Sequence, residues 1–189
     1  MELIGLYLIG CTLLVVAGVM KAARPDDTAR ALAPLMPAPL GALADVGRLR
    51  SIVRGAALVE AGLGVVAFVL PRAVAAALVA ASYVSFAGVV AYARSRGASL
   101  ASCGCFGTPD TPATLVHVAL DLVFAVAAVF MATTAPSEGT ILMALGHQPL
   151  HGAALLMVSA VGAWLTYLTL STLSVLEAAR RTVGAPRRR

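Results

Sequence analysis

Charge is scarce in this 189-residue chain: 12% of residues are charged, while 60% are hydrophobic. Soluble domains carry about 25% charged residues, so no water-soluble globular domain fits here. Aromatic residues are few, at 5% with one tryptophan, and only three cysteines are present. The sequence has no phosphate-binding glycine loop, no Ser-His-Asp arrangement and no haem-attachment motif, which removes nucleotide-driven, serine-hydrolase and c-type haem chemistry. Met20, Met36, Met131, Met143 and Met157 are scattered and form no methionine-rich copper track. No internal repeat, heptad array or low-complexity tract is present beyond alanine enrichment.

What is abundant is Ala, Val and Leu, in blocks, giving a mean hydropathy of +0.91. Residues 3–20, 55–70, 73–92, 115–133 and 152–176 are each about long enough to cross a ~30 Å hydrocarbon core as a helix. Ile52 and Val53 extend the second block, so spans at about 3–20, 52–70, 73–92 and 115–133 are expected. Pro71-Arg72 makes a tight hairpin between the second and third, since proline cannot continue a helix. The fold class is an all-α integral membrane protein, an antiparallel bundle of four core transmembrane helices plus a fifth. Residues 1–134 form the bundle, 135–176 a loop and the additional span, and 177–189 a basic tail. The first block has no basic n-region, since only Met1 and Glu2 precede it, and no small-x-small cleavage site before Lys21. It reads as a retained helix and not as a signal peptide.

Charge placement orients the bundle. Of the 14 basic residues, only Arg72 falls on one side when five spans are counted. Lys21, Arg24, Arg30, Arg48, Arg50, Arg54, Arg94, Arg96 and the five tail arginines fall on the other. The positive-inside rule puts the N-terminus outside and the tail and the 93–114 loop in the cytoplasm. The net charge of +5 needs no nucleic acid; the lipid bilayer is the partner, with anionic headgroups as counter-charge. In the long segment between Lys21 and Arg54, Pro34, Pro37 and Pro39 break the first half. Residues 41–54 place Leu43, Val46, Leu49 and Val53 at helical spacing, opposite Asp45 and Arg48. They are either an amphipathic helix lying at the interface or a solvated linker that feeds the second span.

The chemistry concentrates at Cys103-Gly104-Cys105-Phe106-Gly107, in the loop between the third and fourth spans. Gly104 allows the tight turn that brings the two sulfurs together, and Gly107 releases the chain again. A Cys103–Cys105 disulfide closes a small, strained ring, and strained disulfides are the exchange-prone ones. The pair reads as an exchange or ligand site. Cys11, midway along the first span with no ionisable neighbour in it, reads as a small packing residue. Trp164 and Tyr167 read as packing or lipid contacts.

Ionisable residues inside the spans are the second signal. Glu60 is expected about one and a half turns into the second helix. His117 and Asp121 lie four apart on one face of the fourth. All three share a depth within roughly 10 Å of the surface that carries the cysteine loop. Charged groups at such depth usually face a bundle interior or a cavity. Each has an ordinary structural reading as well. Glu60 can pair with Arg54 or Lys21, and His117 can bond a neighbouring carbonyl. As a cluster beside two thiols they suit exchange chemistry. His117 can take the proton of an attacking thiol or stabilise its thiolate, Asp121 can orient the ring, and Glu60 can relay a proton to water. The positive end of the fourth helix, starting near Thr114, lowers a nearby thiol's pKa.

The order of features resembles the methylamine-utilisation MauE family, within the wider DoxX-like group. Ala17-Gly18-Val19-Met20-Lys21 resembles that family's Ala-Gly-x-x-Lys. Val59-Glu60-Ala61-Gly62-Leu63-Gly64 is similar to its Glu-x-x-x-Gly pattern, and Cys103-Gly104-Cys105-Phe106-Gly107 to its Cys-Gly-Cys-Phe-Gly signature. The resemblance covers about residues 1–134. Where the family's fourth helix is expected to carry an Arg-Asn pair, this chain offers His117 and Asp121. The resemblance implies a bacterial inner-membrane protein that helps mature the disulfide-rich small subunit of methylamine dehydrogenase, alongside a thioredoxin-like partner. A cytoplasmic cysteine loop and an exported client stand on opposite sides of the membrane. Either the loop dips into the bundle and exchanges electrons across it, or the protein passes reductant outward, or the family role does not extend to this member.

Three functions are carried forward. The first is a membrane thiol–disulfide oxidoreductase or maturation factor, with Cys103, Cys105, His117, Asp121 and Glu60 as its site. The second is soft-metal handling by Cys103, Cys105 and His117, which supplies only three ligands and no second cysteine pair. The third is a non-catalytic scaffold. No cofactor is strongly implied; a quinone or a soft metal is compatible with the residues.

Overall fold

The computed structural model describes residues 2–36, 45–96, 115–134 and 149–184. Among them every regular element is helical. The elements are α1 (Glu2–Ala23), α2 (Pro25–Leu32) followed by a short 3-10 turn at Ala33–Leu35, α3 (Val46–Val69), α4 (Ala73–Ser95), α5 (Leu115–Thr134) and α6 (Pro149–Gly184). Five of these, α1 and α3 to α6, are long and apolar enough to cross a membrane, in agreement with the all-α, multi-pass expectation.

Four helices form a ring built from two tight pairs. Helix α1 packs along α3 and α4 packs along α5, while looser contacts between α3 and α4 and between α1 and α5 close the ring. Helix α6 docks on the outside of α1. Small residues set the closest approaches. A Cβ placed on Gly18 of α1 would stand 2.7 Å from the carbonyl oxygen of Ala57 and 2.7 Å from the nitrogen of Ala61 on α3. One placed on Gly64 of α3 would stand 2.9 Å from the carbonyl oxygen of Cys11. Backbone therefore meets backbone at both points. In lipid, where apolar surfaces gain nothing by leaving water, this close van der Waals packing is a main source of helix association. Helix α6 also presents small residues: Gly162 lies against the Ile9 side chain of α1, and Ser159 and Ala163 are buried.

The two halves of the ring differ. In the half containing the start of α1 and the end of α5, side chains fill the centre. Tyr7, Leu8, Cys11, Leu14, Val79, Phe124 and Ala128 are buried there as one cluster. Cys11 is fully buried, as a small packing residue should be. Buried tyrosines tie helices together by donating to backbone carbonyls. Tyr7 Oη donates to Ala67 O at 3.2 Å and Tyr83 Oη to Gly10 O at 2.6 Å. The other half of the ring is partly hollow.

Three boundaries depart from the sequence-based expectation. Helix α3 begins at Val46, not near 52, because the Asp45 carboxylate accepts from the Arg48 backbone N–H at 3.3 Å and caps it. The apolar stripe of residues 46–53 is real, but it belongs to this span and not to a separate interfacial helix. Leu49 and Val53 are buried against Ala29, Leu32 and Met36 of the α2 region. Helix α2 itself was not anticipated. Pro25 in its first turn, Asp26 and Asp27 beside it and Arg30 in the last turn are the start-and-stop signals that a helix of this length needs. Finally, α6 runs for 36 residues, about 54 Å at 1.5 Å per residue, well beyond a ~30 Å core. Residues 177–184, expected as tail, continue the helix.

The α1–α3 contact generates a test. Replacing Gly18 by valine places methyl groups into the α3 backbone and should lower the thermal stability of the purified protein by about 1–3 kcal/mol, the usual cost of overpacking. Gly62→Val, at a position with open space around it, is the control and should leave the melting temperature nearly unchanged.

Candidate functional site

A cavity of about 280 Å³ occupies the hollow half of the ring. Helices α1, α3, α4 and α5 form its walls, and α2 lies across it with Thr28 and Leu32 in the lining. Its apolar wall includes Leu14, Val53, Val90 and Leu120. Phe86, Tyr83 and Phe124 separate it from the filled half. The rings of Tyr83 and Phe124 lie 5.3 Å apart, and Phe86 stands edge-on to Tyr83 at 6.0 Å.

Polar groups line this apolar space from all five of these helices. Glu60 of α3 and His117 and Asp121 of α5 all line the cavity, so the three in-span ionisable residues meet in one place. The four-residue spacing of His117 and Asp121 puts both on the inward face of α5, where each is half-buried. Glu60 lies further along its helix than the sequence suggested. With the start of α3 at Val46, it stands about 21 Å from that end, though only six residues past Arg54. Cys103, Cys105, Gly104 and Gly107 lie outside the described residues, and so does any disulfide between the two cysteines.

The residue that sequence reasoning undervalued is Lys21. It counts there as one more basic residue near a membrane surface and as one of two candidate partners for Glu60. Because α1 extends to Ala23, Lys21 sits in its last turn and is 6% exposed. Its ammonium group donates to the Glu60 carboxylate and lies 4.4 Å from the centre of the Phe86 ring. A side chain on a helix leans towards the helix N-terminus, so Lys21 reaches back into the bundle and not out to water. The spacing Gly18-x-x-Lys21 is the signal that identifies it. Residues three apart share a face, and the face of Gly18 is the one pressed on α3. The Ala-Gly-x-x-Lys and Glu-x-x-x-Gly patterns are thus two sides of one contact. Gly18 and Gly64 let the helices touch, and Lys21 and Glu60 pair beside that contact.

A second undervalued residue is Thr28. It is 9% exposed, faces the cavity, and its hydroxyl has no hydrogen-bond partner among the described residues. No group of three or more His, Cys, Asp or Glu side chains suited to a metal ion occurs among the described residues.

A family model described as methylamine utilisation protein MauE matches residues 2–134. The chain belongs to the MauE family. The match spans α1 to α5 and therefore every wall of the cavity, while α6 lies beyond it. No curated protein and no solved structure matches the chain. For this family member, both polar partners of the α1–α3 contact are also cavity residues.

The ion pair carries a stability prediction. Removing one partner leaves a charge buried without its counter-charge, which costs about 3–5 kcal/mol, whereas replacing both by apolar groups is close to neutral. Lys21→Met and Glu60→Leu should each lower the melting temperature of the detergent-purified protein sharply. The double variant should recover most of the loss. A double variant as unstable as the two single losses combined would show that the two side chains act independently.

Proposed function

We propose that this multi-pass MauE-family protein is a membrane thiol–disulfide exchange or maturation factor, with Cys103 and Cys105 as its redox pair. One observation carries the reading. The cavity that gathers Glu60, His117 and Asp121 lies at the end of the bundle where α4 finishes, at Ser95, and α5 starts, at Leu115. Those two helices flank the Cys-Gly-Cys segment in the chain, so the helix ends it connects lie at the cavity end of the bundle.

In this reading His117 accepts the proton of the attacking thiol, and Asp121, one turn on, orients the imidazole. Glu60 pairs with Lys21 and acts chiefly by positioning, with proton relay secondary to that pairing. The positive N-terminal end of α5 favours a thiolate near it. The family is described by a role in methylamine utilisation. By analogy the client is an exported, disulfide-containing protein, and a thioredoxin-like protein is the partner. In this reading the bias of basic residues to one face supports, by the positive-inside rule, a cytoplasmic position for that end of the bundle and the tail in a bacterial plasma membrane.

Two measurements test this. Compartment reporters placed after Arg189 and inserted near Pro109 should answer from the same side; opposite answers rule out the five-span arrangement. In membranes, the Cys103–Cys105 pair should cycle between alkylatable and protected forms when challenged with a small disulfide and then a reductant. Gly104→Val should leave both thiols open to alkylation, because a side chain there opposes the tight turn. His117→Ala should still form the disulfide but slow exchange by about 10²-fold or more, the usual loss of a positioned acid–base group. Parent-like exchange by both variants refutes the assignment. A stoichiometric soft metal in the purified protein would instead favour the ligand set Cys103, Cys105 and His117.

A further inference from the structure

Forming a disulfide from two thiols releases two protons and two electrons, and something must take them up. If the exchange reading above holds, on which this inference rests, the acceptor for turnover has to reach the cavity end of the bundle. Three cavity-lining residues, Ala56 of α3 and Ser85 and Val89 of α4, are also exposed on the outer surface. Val89 is 41% exposed and lies about 9 Å from the end of α4 at Ser95, within the apolar span. The cavity therefore has a side mouth between α3 and α4, at the level of the lipid chains. These two helices are held together by their short hairpin at the far end and pack loosely elsewhere, so the opening follows from the unequal helix pairing.

The lining fits a flat apolar molecule with a small number of hydrogen-bond acceptors. Phe86, Tyr83 and Phe124 supply ring faces and edges at one end. The lining also offers the Thr28 hydroxyl, buried and unpartnered among the described residues, and the Lys21 ammonium over the Phe86 ring, which has three N–H donors and directs one to Glu60. An unsatisfied buried hydroxyl is costly, and a ligand acceptor oxygen would remove that cost. The volume is slightly below the ~300–1,000 Å³ of most small-molecule pockets. It suits a single ring and its substituents, with any tail left outside in the lipid.

We infer that this cavity is a lateral binding site for the ring of a membrane quinone, which enters between α3 and α4. The balance is simple. Two cysteine thiols lose two protons and two electrons as one S–S bond forms, and the quinone gains both to become the quinol. The Thr28 hydroxyl donates to one quinone carbonyl oxygen, and Lys21 strengthens the local preference for an electron-rich oxygen.

Saturation binding of a short-chain decyl benzoquinone to the full-length protein in lipid nanodiscs tests this. One site per chain is expected. Thr28→Val should weaken binding about fivefold, as expected for one lost hydrogen bond. Val89→Trp, which plugs the mouth, should weaken it tenfold or more, and Val126→Trp, on the outer surface of α5 and 65% exposed in the parent, should not change it. Cys103→Ser/Cys105→Ser should bind like the parent, because the site does not include the thiols. Decylbenzene, which has the ring and tail but no carbonyls, should compete poorly. No saturable binding, equal competition by decylbenzene, or binding unaffected by both Thr28→Val and Val89→Trp overturns the inference. If the parent exchanges with a small disulfide yet binds no quinone, this inference fails and the exchange reading stands. If quinone binds at the predicted site while the cysteines never cycle, the exchange reading fails and the site stands.

Discussion

The contact between α1 and α3 is the constraint on which the rest of this molecule depends. Gly18 and Gly64 let two backbones meet within the bilayer, and the same contact brings Lys21 against Glu60. Neither charge would be tolerated alone in an apolar setting. Together, with the Phe86 ring beneath the ammonium group, they form a neutral polar unit. Its net contribution to stability is small, because desolvation consumes most of the attraction. Its contribution to specificity is larger. A slip of one turn between α1 and α3 would leave two buried charges unpaired, so the pair fixes the register of the two helices.

That register determines where space remains. Two tight helix pairs, α1 with α3 and α4 with α5, meet through looser contacts. In one half the large side chains Tyr7, Leu8, Leu14 and Phe124 bridge the gap. In the other, Ala17, Ala56 and Ala57 are too small to do so, and a cavity is left with α2 laid across it. The alanine richness of the chain therefore serves both tight packing and the hollow. The first turns of α3 are drawn into this arrangement by Leu49 and Val53, which give α2 an apolar surface to rest on. The exposed pair Arg50 and Asp26, 3.5 Å apart, adds little to that contact.

Much of this is legible in the residues. Apolar block length predicts the five spans, because a hydrocarbon core accepts only a helix that satisfies its own backbone and is long enough to cross. Convergence is also legible. Glu60, His117 and Asp121 are charged or polar residues inside apolar blocks, and they do face one interior cavity, although Glu60 lies deeper along its helix than expected. Boundaries are less so. Val46 starts α3 because Asp45 caps it and α2 supports it, and α2 is a single short helix in a segment where three prolines suggest only breaks. The length of α6 is hidden because residues 177–184 look like a polar tail, although nothing in them terminates a helix before Gly184.

The sequence by itself determined the membrane class, the number of spans and the chemical types available: one close pair of thiols, one histidine–aspartate face, one in-span glutamate. These follow from composition and periodicity, which act locally along the chain. Only the tertiary structure decided that Glu60 takes Lys21 and not Arg54 as its partner, that Thr28 is buried without a partner among the described residues, and that a hollow is left between α1, α3, α4 and α5. Each depends on which helices touch and at what register. That is set by backbone contacts at Gly18 and Gly64, between residues far apart in the chain, and no local pattern reports it.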